Sequence, residues 1–222
     1  MTSTHQDTLR HKGMRERLIK ELREKGIRNE AVLRAMMNIP RHFFLDTAFD
    51  KIAYEDRAFP IEAEQTISQP YTVAYQSSLL EIKPFDKVLE VGTGSAYQAT
   101  ILAELGAFVY SIERKKELFD VRKSRYPFEK QYAIKIKFFY GDGFEGLPQF
   151  APFDKVIITA AAPEIPQKLL KQLKPGGLMV LPLNKEDGAK QVMMRIRKID
   201  ETNYETETFE DFSFVPMLTG RD

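Results

Sequence analysis

The sequence contains no cysteine. That excludes a disulfide framework, a thiolate nucleophile and a cysteine-ligated zinc site, and it suits a reducing compartment. Histidine is scarce, with only His5, His11 and His42. His42 sits among apolar residues and reads as a packing residue rather than a catalyst. No apolar run approaches the ~20 residues of a membrane-spanning helix. The first ten residues are polar, so no secretory signal is expected. Nor is there an excess of either charge, since 33 Lys+Arg against 32 Asp+Glu leave +1. Nucleic acid or an anionic membrane calls for a basic surplus, so neither is expected as a partner. A Gly-x-Ser-x-Gly elbow, a His-Glu-x-x-His helix and a Walker loop are all missing. These absences predict a cytoplasmic protein with no metal.

What is present is an ordinary globular composition, 43% hydrophobic and 29% charged over 222 residues, enough to enclose a sizeable core. Residues 1–83 read as helices and extended loop. Met14, Leu18, Ile19 and Leu22 recur at helical spacing up to a stop at Gly26. A second helix is predicted over Glu30–Asn38, with Asn29 as its cap and Pro40 beyond its end. Phe59 to Pro70 shows no period and is expected as an extended, functional loop. From residue 84 the texture changes. Predicted strands (Lys87–Val91, Phe108–Ile112, Ile134–Tyr140, Lys155–Thr159, Leu178–Leu181) alternate with predicted helices (Tyr97–Leu105, Lys115–Arg125, Ile165–Leu173). This is the pattern of an α/β, mostly parallel, doubly wound sheet. Gln191–Ile199 and Thr206–Val215 flank a polar turn and predict an antiparallel C-terminal edge hairpin. The expected architecture is an 84–222 core carrying a 1–83 N-terminal helical extension, working as one unit. Lys174-Pro-Gly-Gly177 reads as turn chemistry.

The segment Val88-Leu-Glu-Val-Gly92-Thr-Gly94-Ser-Ala96-Tyr97 carries the most chemistry. A buried strand runs into glycines and then a helix, which puts backbone N–H groups at the carboxyl edge of the sheet, where open α/β sheets bind ligands. Glu113 ends the next strand, where a carboxylate accepts from both hydroxyls of a ribose. A dinucleotide fingerprint has a third glycine where this chain has Tyr97. Glu90, two residues before Gly92, is expected to repel a pyrophosphate and to hold a cationic ammonium directly or through water. S-adenosylmethionine has an ammonium, a sulfonium and no phosphate, so the pattern favours it over NAD. Asp142, in Gly141-Asp142-Gly143, follows the third strand and can accept from an adenine amino group, although Asp-Gly is also a turn signal. The strand ending at Thr159 leaves space beside its small residues.

The chain resembles the protein-L-isoaspartate O-methyltransferases, a family of Rossmann-like class I methyltransferases. The resemblance rests on Val88-Leu-Glu-Val-Gly-Thr-Gly-Ser95, on Gln65-Thr-Ile-Ser68-Gln-Pro-Tyr71, and on Ile39-Pro-Arg-His-Phe43. The Gly-Asp-Gly and Lys-Pro-Gly-Gly segments and Phe214-Val-Pro216 also carry it, so it spans nearly the whole chain from about Arg15. It implies methyl transfer from S-adenosylmethionine, giving S-adenosylhomocysteine, to the free α-carboxyl of L-isoaspartyl residues exposed in damaged proteins. D-aspartyl residues stay open as second acceptors, and a monomer is expected. Residues and resemblance together place Thr66, Ile67, Ser68, Glu90, Gly92, Thr93, Gly94, Glu113, Arg114, Asp142, Gly143 and Thr159 against the cofactor. They place Ser68, Gln69, Tyr71 and Val215 against the substrate. Ser68 is expected to orient the carboxylate, which is already ionised at neutral pH and needs no general base. Its competing role is an N-cap for a helix near Pro70.

Three residues depart from the family pattern. Glu62-Ala63-Glu64 stands where relatives carry glycines. The two carboxylates are expected to repel an anionic substrate or to stiffen the loop. Replacing both glutamates by glycine is then expected to lower the peptide KM. Ala96 replaces a glycine at a position read as entering a helix, where alanine is tolerated. The alternatives are a class I methyltransferase with another acceptor, such as a small molecule or RNA, and a cofactor-binding homologue whose turnover Glu62 and Glu64 impair.

Overall fold

Two polar side chains start the first helices. Thr8 accepts from the His11 backbone N–H while the His11 ring accepts from the Thr8 N–H, so α1 (Leu9–Glu24) begins ahead of its apolar run. Asn29 accepts from the N–H groups of Ala31 and Val32 and opens α2 (Glu30–Asn38) over the expected residues. Such a cap is worth ~1 kcal/mol. The computed structural model describes residues 6–185 and 190–222.

The stretch from Phe59 to Pro70 pairs with itself. Here β1 (Phe59–Pro60) and β2 (Thr66–Ile67) form a small antiparallel hairpin rather than the expected extended loop. Strands this short leave no period to read. The next helix, α3 (Pro70–Leu79), has Pro70 in its first turn and Gln69 at its cap position. Ser68 is therefore not the cap. Asp56 does that work from a distance, its Oδ1 accepting from the Tyr71 N–H at 2.7 Å.

From Lys87 the elements run β3 (Lys87–Val91), α4 (Tyr97–Glu104), β4 (Phe108–Glu113), α5 (Lys116–Arg125), the short α6 (Glu129–Tyr132) and β5 (Ile136–Tyr140). They continue through β6 (Phe153–Ile158), α7 (Gln167–Gln172), β7 (Leu173–Asn184), β8 (Gln191–Lys198) and β9 (Tyr204–Phe212). Seven strands lie in the order β5-β4-β3-β6-β7-β8-β9. Those from β5 to β7 are mutually parallel, and β8 and β9 add antiparallel at one edge. The chain steps outward from β3 to β5 and then crosses back to place β6 on the other side of β3. That reversal opens a crevice at the carboxyl ends of β3 and β6.

Alternate residues of the buried strands feed two cores. Val88 and Ile157 join Leu22, Leu33, Ala96 and Ile101 on one face, where α1 packs on α2 and α2 packs on α3 and α4. Leu89 and Ile158 join Ile112, Val156 and Leu169 on the other. Lys174–Gly177, expected as a turn, falls inside β7, where the register with β6 shifts. The last strand ends at Phe212 instead of running to Val215. The chain then returns along the sheet, and Ala161 pairs with Pro216. This return carries Val215–Leu218 to the crevice. Glu205, Glu207, Glu210 and Asp211 lie along the outer strand and discourage edge-to-edge pairing. Among the described residues no helix is long and apolar enough to cross a membrane.

Candidate active site

The crevice contains a cleft. Its floor is the glycine turn after β3. Gly92 has φ +96°, and a Cβ there would meet Thr159 Oγ1 at 2.4 Å. Only glycine lets the turn lie this close to β6, where the Thr159 hydroxyl reaches the Gly92 carbonyl at 2.8 Å. Ala96, by contrast, is in the left-handed region (φ +67°) at the cap of α4, not inside the helix. The substitution of alanine for glycine here is strained, contrary to the sequence reading.

Glu113 ends β4 beside that floor. One carboxylate oxygen accepts from the Gly94 N–H at 3.0 Å and the other from the Lys115 N–H at 2.9 Å. Each oxygen keeps a second lone pair for a ligand hydroxyl. One wall comes from the β1–β2 hairpin, with Gln65, Thr66, Ile67 and Ser68. The opposite end is closed by Gly143 and by Val215, Pro216, Met217 and Leu218 of the returning chain. Thr93, Gly94, Arg114 and Thr159 line it as well. The Arg114 guanidinium is already engaged, reaching the Asp222 carboxylate at 2.8 and 3.1 Å and the carbonyls of Gly220 and Thr219.

Two expected cofactor residues do not line the cleft. Glu90 is fully buried beneath it. Ser111 donates to its carboxyl group at 2.5 Å and lies 2.6 Å from the Thr93 hydroxyl. Burial, opposed by the Ser111 hydrogen bond and reinforced by nearby Glu113, pushes Glu90 up to about 8. It is uncharged at neutral pH, so the expected attraction for an ammonium is absent. Asp142 is turned away too. Its oxygens accept from the N–H groups of Phe144 (2.8 Å) and Gly220 (2.7 Å). Asp142 shapes the backbone at Gly143, and it is Gly143 that faces the cleft. Neither Glu62 nor Glu64 is among the residues that line these two cavities.

A second, more open cavity adjoins the first. Ser68, Gln69, Tyr71 and Val215 line it, with Phe212, Phe214 and Lys190. Tyr71 stacks on Phe212 at 6.2 Å between ring centroids and donates to Glu210 at 2.9 Å. The Gln69 amide is tied to Asp56. The two cavities share Thr66, Ser68, Thr159 and Val215. A ligand in one can therefore meet a ligand in the other only at these side chains.

Several contributors were not singled out from the sequence. Ser95, Tyr97, Gln98, Met217 and Leu218 line the cleft. Met217 and Leu218 had one signal, their place just after Phe214-Val-Pro216. Arg41 is 1% exposed and donates to the Ser68 carbonyl at 2.8 Å, with its guanidinium over the Tyr97 ring. Burial, opposed by the neighbouring Tyr97, Asp56 and Tyr54, lowers it to about 10, so it stays charged at neutral pH. It fixes the backbone of the serine.

His11 and His42 form a separate cluster with Asp7. Asp7, His11 and His42 each bring a possible ligand atom within 4.8 Å of the others. The two rings stack, with centroids 3.9 Å apart and 24° between planes. Both ring nitrogens of His11 are engaged, Nδ1 with Thr8 and Nε2 with Asp50 at 3.0 Å. Arg15 already holds Asp7 through two contacts of 2.9 and 3.1 Å. Burial, then the neighbouring His11, press His42 down to about 4. Its ring is neutral and hydrogen-bonds the Tyr54 hydroxyl at 2.7 Å, in keeping with packing.

Comparison with known proteins fits this geometry. The family model described as Protein-L-isoaspartate(D-aspartate) O-methyltransferase matches residues 13–222. The chain is 50% identical to the protein-L-isoaspartate O-methyltransferase of Flavobacterium psychrophilum, covering 97% of this chain and 99% of that protein. It is 51% identical to that of Cytophaga hutchinsonii, covering 98% and 96%. A solved protein-L-isoaspartate O-methyltransferase superposes with a TM-score of 0.80 at 26% identity, over 91% of this chain and 65% of the other. A Plasmodium falciparum structure in complex with S-adenosyl-L-homocysteine shares the fold, with a TM-score of 0.78 at 23% identity over 94% and 98%.

Proposed function

The chain belongs to the protein-L-isoaspartate(D-aspartate) O-methyltransferase family, and from that premise we propose how its cleft performs the reaction. The enzyme transfers the methyl group of S-adenosylmethionine to the α-carboxyl of an L-isoaspartyl residue in a damaged protein, leaving S-adenosylhomocysteine. The observation that carries the assignment of roles is the junction of the two cavities at Ser68, Thr66, Thr159 and Val215. The cleft over the glycine turn takes the methyl donor, and the adjoining cavity takes the peptide.

The residues present suit that donor. Glu113 offers free lone pairs for a ribose, and Gly143 gives a flat backbone wall for a purine. The one arginine in the cleft wall is consumed by the returning chain, which leaves nothing to neutralise a pyrophosphate. When bound, S-adenosylmethionine supplies an electrophilic methyl group on a sulfonium. The protein then has to orient an acceptor carboxylate, ionised above about pH 4, and keep water away. The Ser68 hydroxyl donates to that carboxylate and aims it along the transfer axis. Arg41 holds the Ser68 backbone. Tyr71, Phe212 and Val215 shield the approach. Positioning of this kind supplies a large share of a barrier reduction when no proton has to move.

Replacing Ser68 by alanine is expected to lower kcat on an isoaspartyl peptide about tenfold, the value of one hydrogen bond to a charged group. Affinity for S-adenosylhomocysteine should stay within about twofold. Unchanged turnover would remove the serine from this role. The reading as a whole is tested with labelled S-adenosylmethionine and peptides that differ only in aspartyl or isoaspartyl linkage. Base-labile label in the isoaspartyl peptide alone is the expected outcome. D-aspartyl acceptors, a monomeric state, a cytoplasmic location, and the lack of nucleic-acid or membrane partners belong to the same proposal. The expected division, with residues 1–83 on the substrate side and 84–222 on the cofactor side, is not clean: Gln65–Ser68 line the donor cleft, and Phe212, Phe214 and Val215 line the substrate cavity.

A further inference from the structure

Arg122, on α5, is 6% exposed, and its Nε has no hydrogen-bond partner among the described residues. Its terminal nitrogen donates to Glu62 Oε2 at 2.6 Å. Burial lowers the proton affinity of the guanidinium, while Glu62 and then Glu113 hold it up. A buried cation of this kind depends on its partner. Glu62 stands at the tip of the β1–β2 hairpin, and the next two residues, Ala63 (φ +55°) and Glu64 (φ +58°), both sit in the left-handed region. Two such residues in a row are strained without glycine and need an external hold.

The same hairpin forms one wall of the donor cleft. Its Ile61 reaches across to the glycine turn, where a Cβ at Gly94 would lie 3.8 Å from Ile61 Cδ1. The Glu62–Arg122 pair thus ties the hairpin to the helix that begins just after Glu113. The pair lies outside the cleft wall and anchors the hairpin from behind. The expected effect of Glu62 on an anionic substrate has to be revised, because its charge is spent on Arg122.

We infer that the Glu62–Arg122 pair is a latch that holds the hairpin over the bound nucleoside, so that S-adenosylhomocysteine leaves only when the pair opens. Arg122 is then a positioning residue, acting through the hairpin. This rests on the cleft being the methyl-donor site.

The test measures S-adenosylhomocysteine dissociation from the full-length enzyme by rapid displacement, at low and high salt. Glu62→Gln should dissociate about tenfold faster than wild type at low salt, with a bound state otherwise intact. Wild type should speed up as salt rises, because an ion pair with one exposed partner is screened, while Glu62→Gln should respond little. Asp120→Asn removes an exposed pair with Lys116 on the same helix and should behave as wild type. If Glu62→Gln is poorly folded because Arg122 is left unpaired, the double variant Glu62→Gln with Arg122→Met relieves that charge and should show the same fast release. Dissociation rates and salt responses equal to wild type in these variants would overturn the latch. No binding to wild type would instead overturn the assignment of the cleft.

Discussion

Replacing Glu113 by alanine is expected to weaken S-adenosylmethionine and S-adenosylhomocysteine binding by about 150-fold, measured by calorimetry. Glu113 is 5% exposed at the end of β4, and each oxygen already accepts one backbone N–H. The remaining lone pairs face the cleft, where two ribose hydroxyls can donate to them. Hydrogen bonds to a charged acceptor contribute ~1.5 kcal/mol each, and two make ~3 kcal/mol, or about 150-fold in Kd. A purely structural role makes a different forecast. The N–H groups of Gly94 and Lys115 would lose their acceptor, so the melting temperature without ligand would drop while Kd stayed put. A melting loss with Kd within about threefold of wild type would leave Glu113 as a brace for the glycine turn and nothing more.

The second large effect concerns Glu90 and appears as a pH dependence. Burial raises its carboxyl to about 8, whereas an unfolded glutamate ionises near 4.3. Between those values the folded state keeps a proton that the unfolded state has released. The contribution to stability is therefore complete below about pH 4 and is lost as pH rises through about 8. Glu90→Gln keeps the shape and the acceptor for Ser111 but cannot ionise. Its stability profile should run close to wild type near pH 5 and lie above it near pH 9. Each tenfold change in proton affinity is about 1.4 kcal/mol. A gap of ~2 kcal/mol or more is expected, or roughly 4–8 °C in melting temperature for a chain of this size. Parallel profiles across that range would show that Glu90 is ionised in the folded protein.

Glu90 lies where the sequence alone does not place it. A strand buried on both faces reads as a continuous apolar run, and a single acid within it reveals nothing about which face it occupies. Its position two residues before Gly92 suggested a ligand contact. The fold turned it inward to Ser111 instead. Asp142 is a similar case. Gly-Asp-Gly marks a turn after a strand, and that was right, but the Gly220 N–H that claims its second oxygen is far away in the chain. Ser68 shows the opposite outcome. Two roles were open, and the helix start at Gln69–Pro70, with Asp56 supplying the acceptor, removed the cap role. What remains is a hydroxyl at the junction of two cavities. The hairpin at Phe59–Ile67 escaped notice because two-residue strands have no alternation to detect.

Local chemistry alone determined a good deal. Asn29 and the apolar spacing behind it bounded α2. The order of Val-rich runs and helices determined the parallel sheet. The run from Val88 to Tyr97, followed by Glu113, located the glycine turn and its acid. These features depend on neighbours a few residues apart, so propensity, capping and periodicity are enough to reveal them. Tertiary structure alone decided where each charge went. Glu90 became neutral through burial, Arg114 was consumed by Asp222, and Arg41 was set behind Ser68. Arg122 was paired with Glu62 of the hairpin. The physical reason is that an ionised side chain is stable only where its desolvation is offset, and its partner comes from whichever distant segment the packing brings within reach.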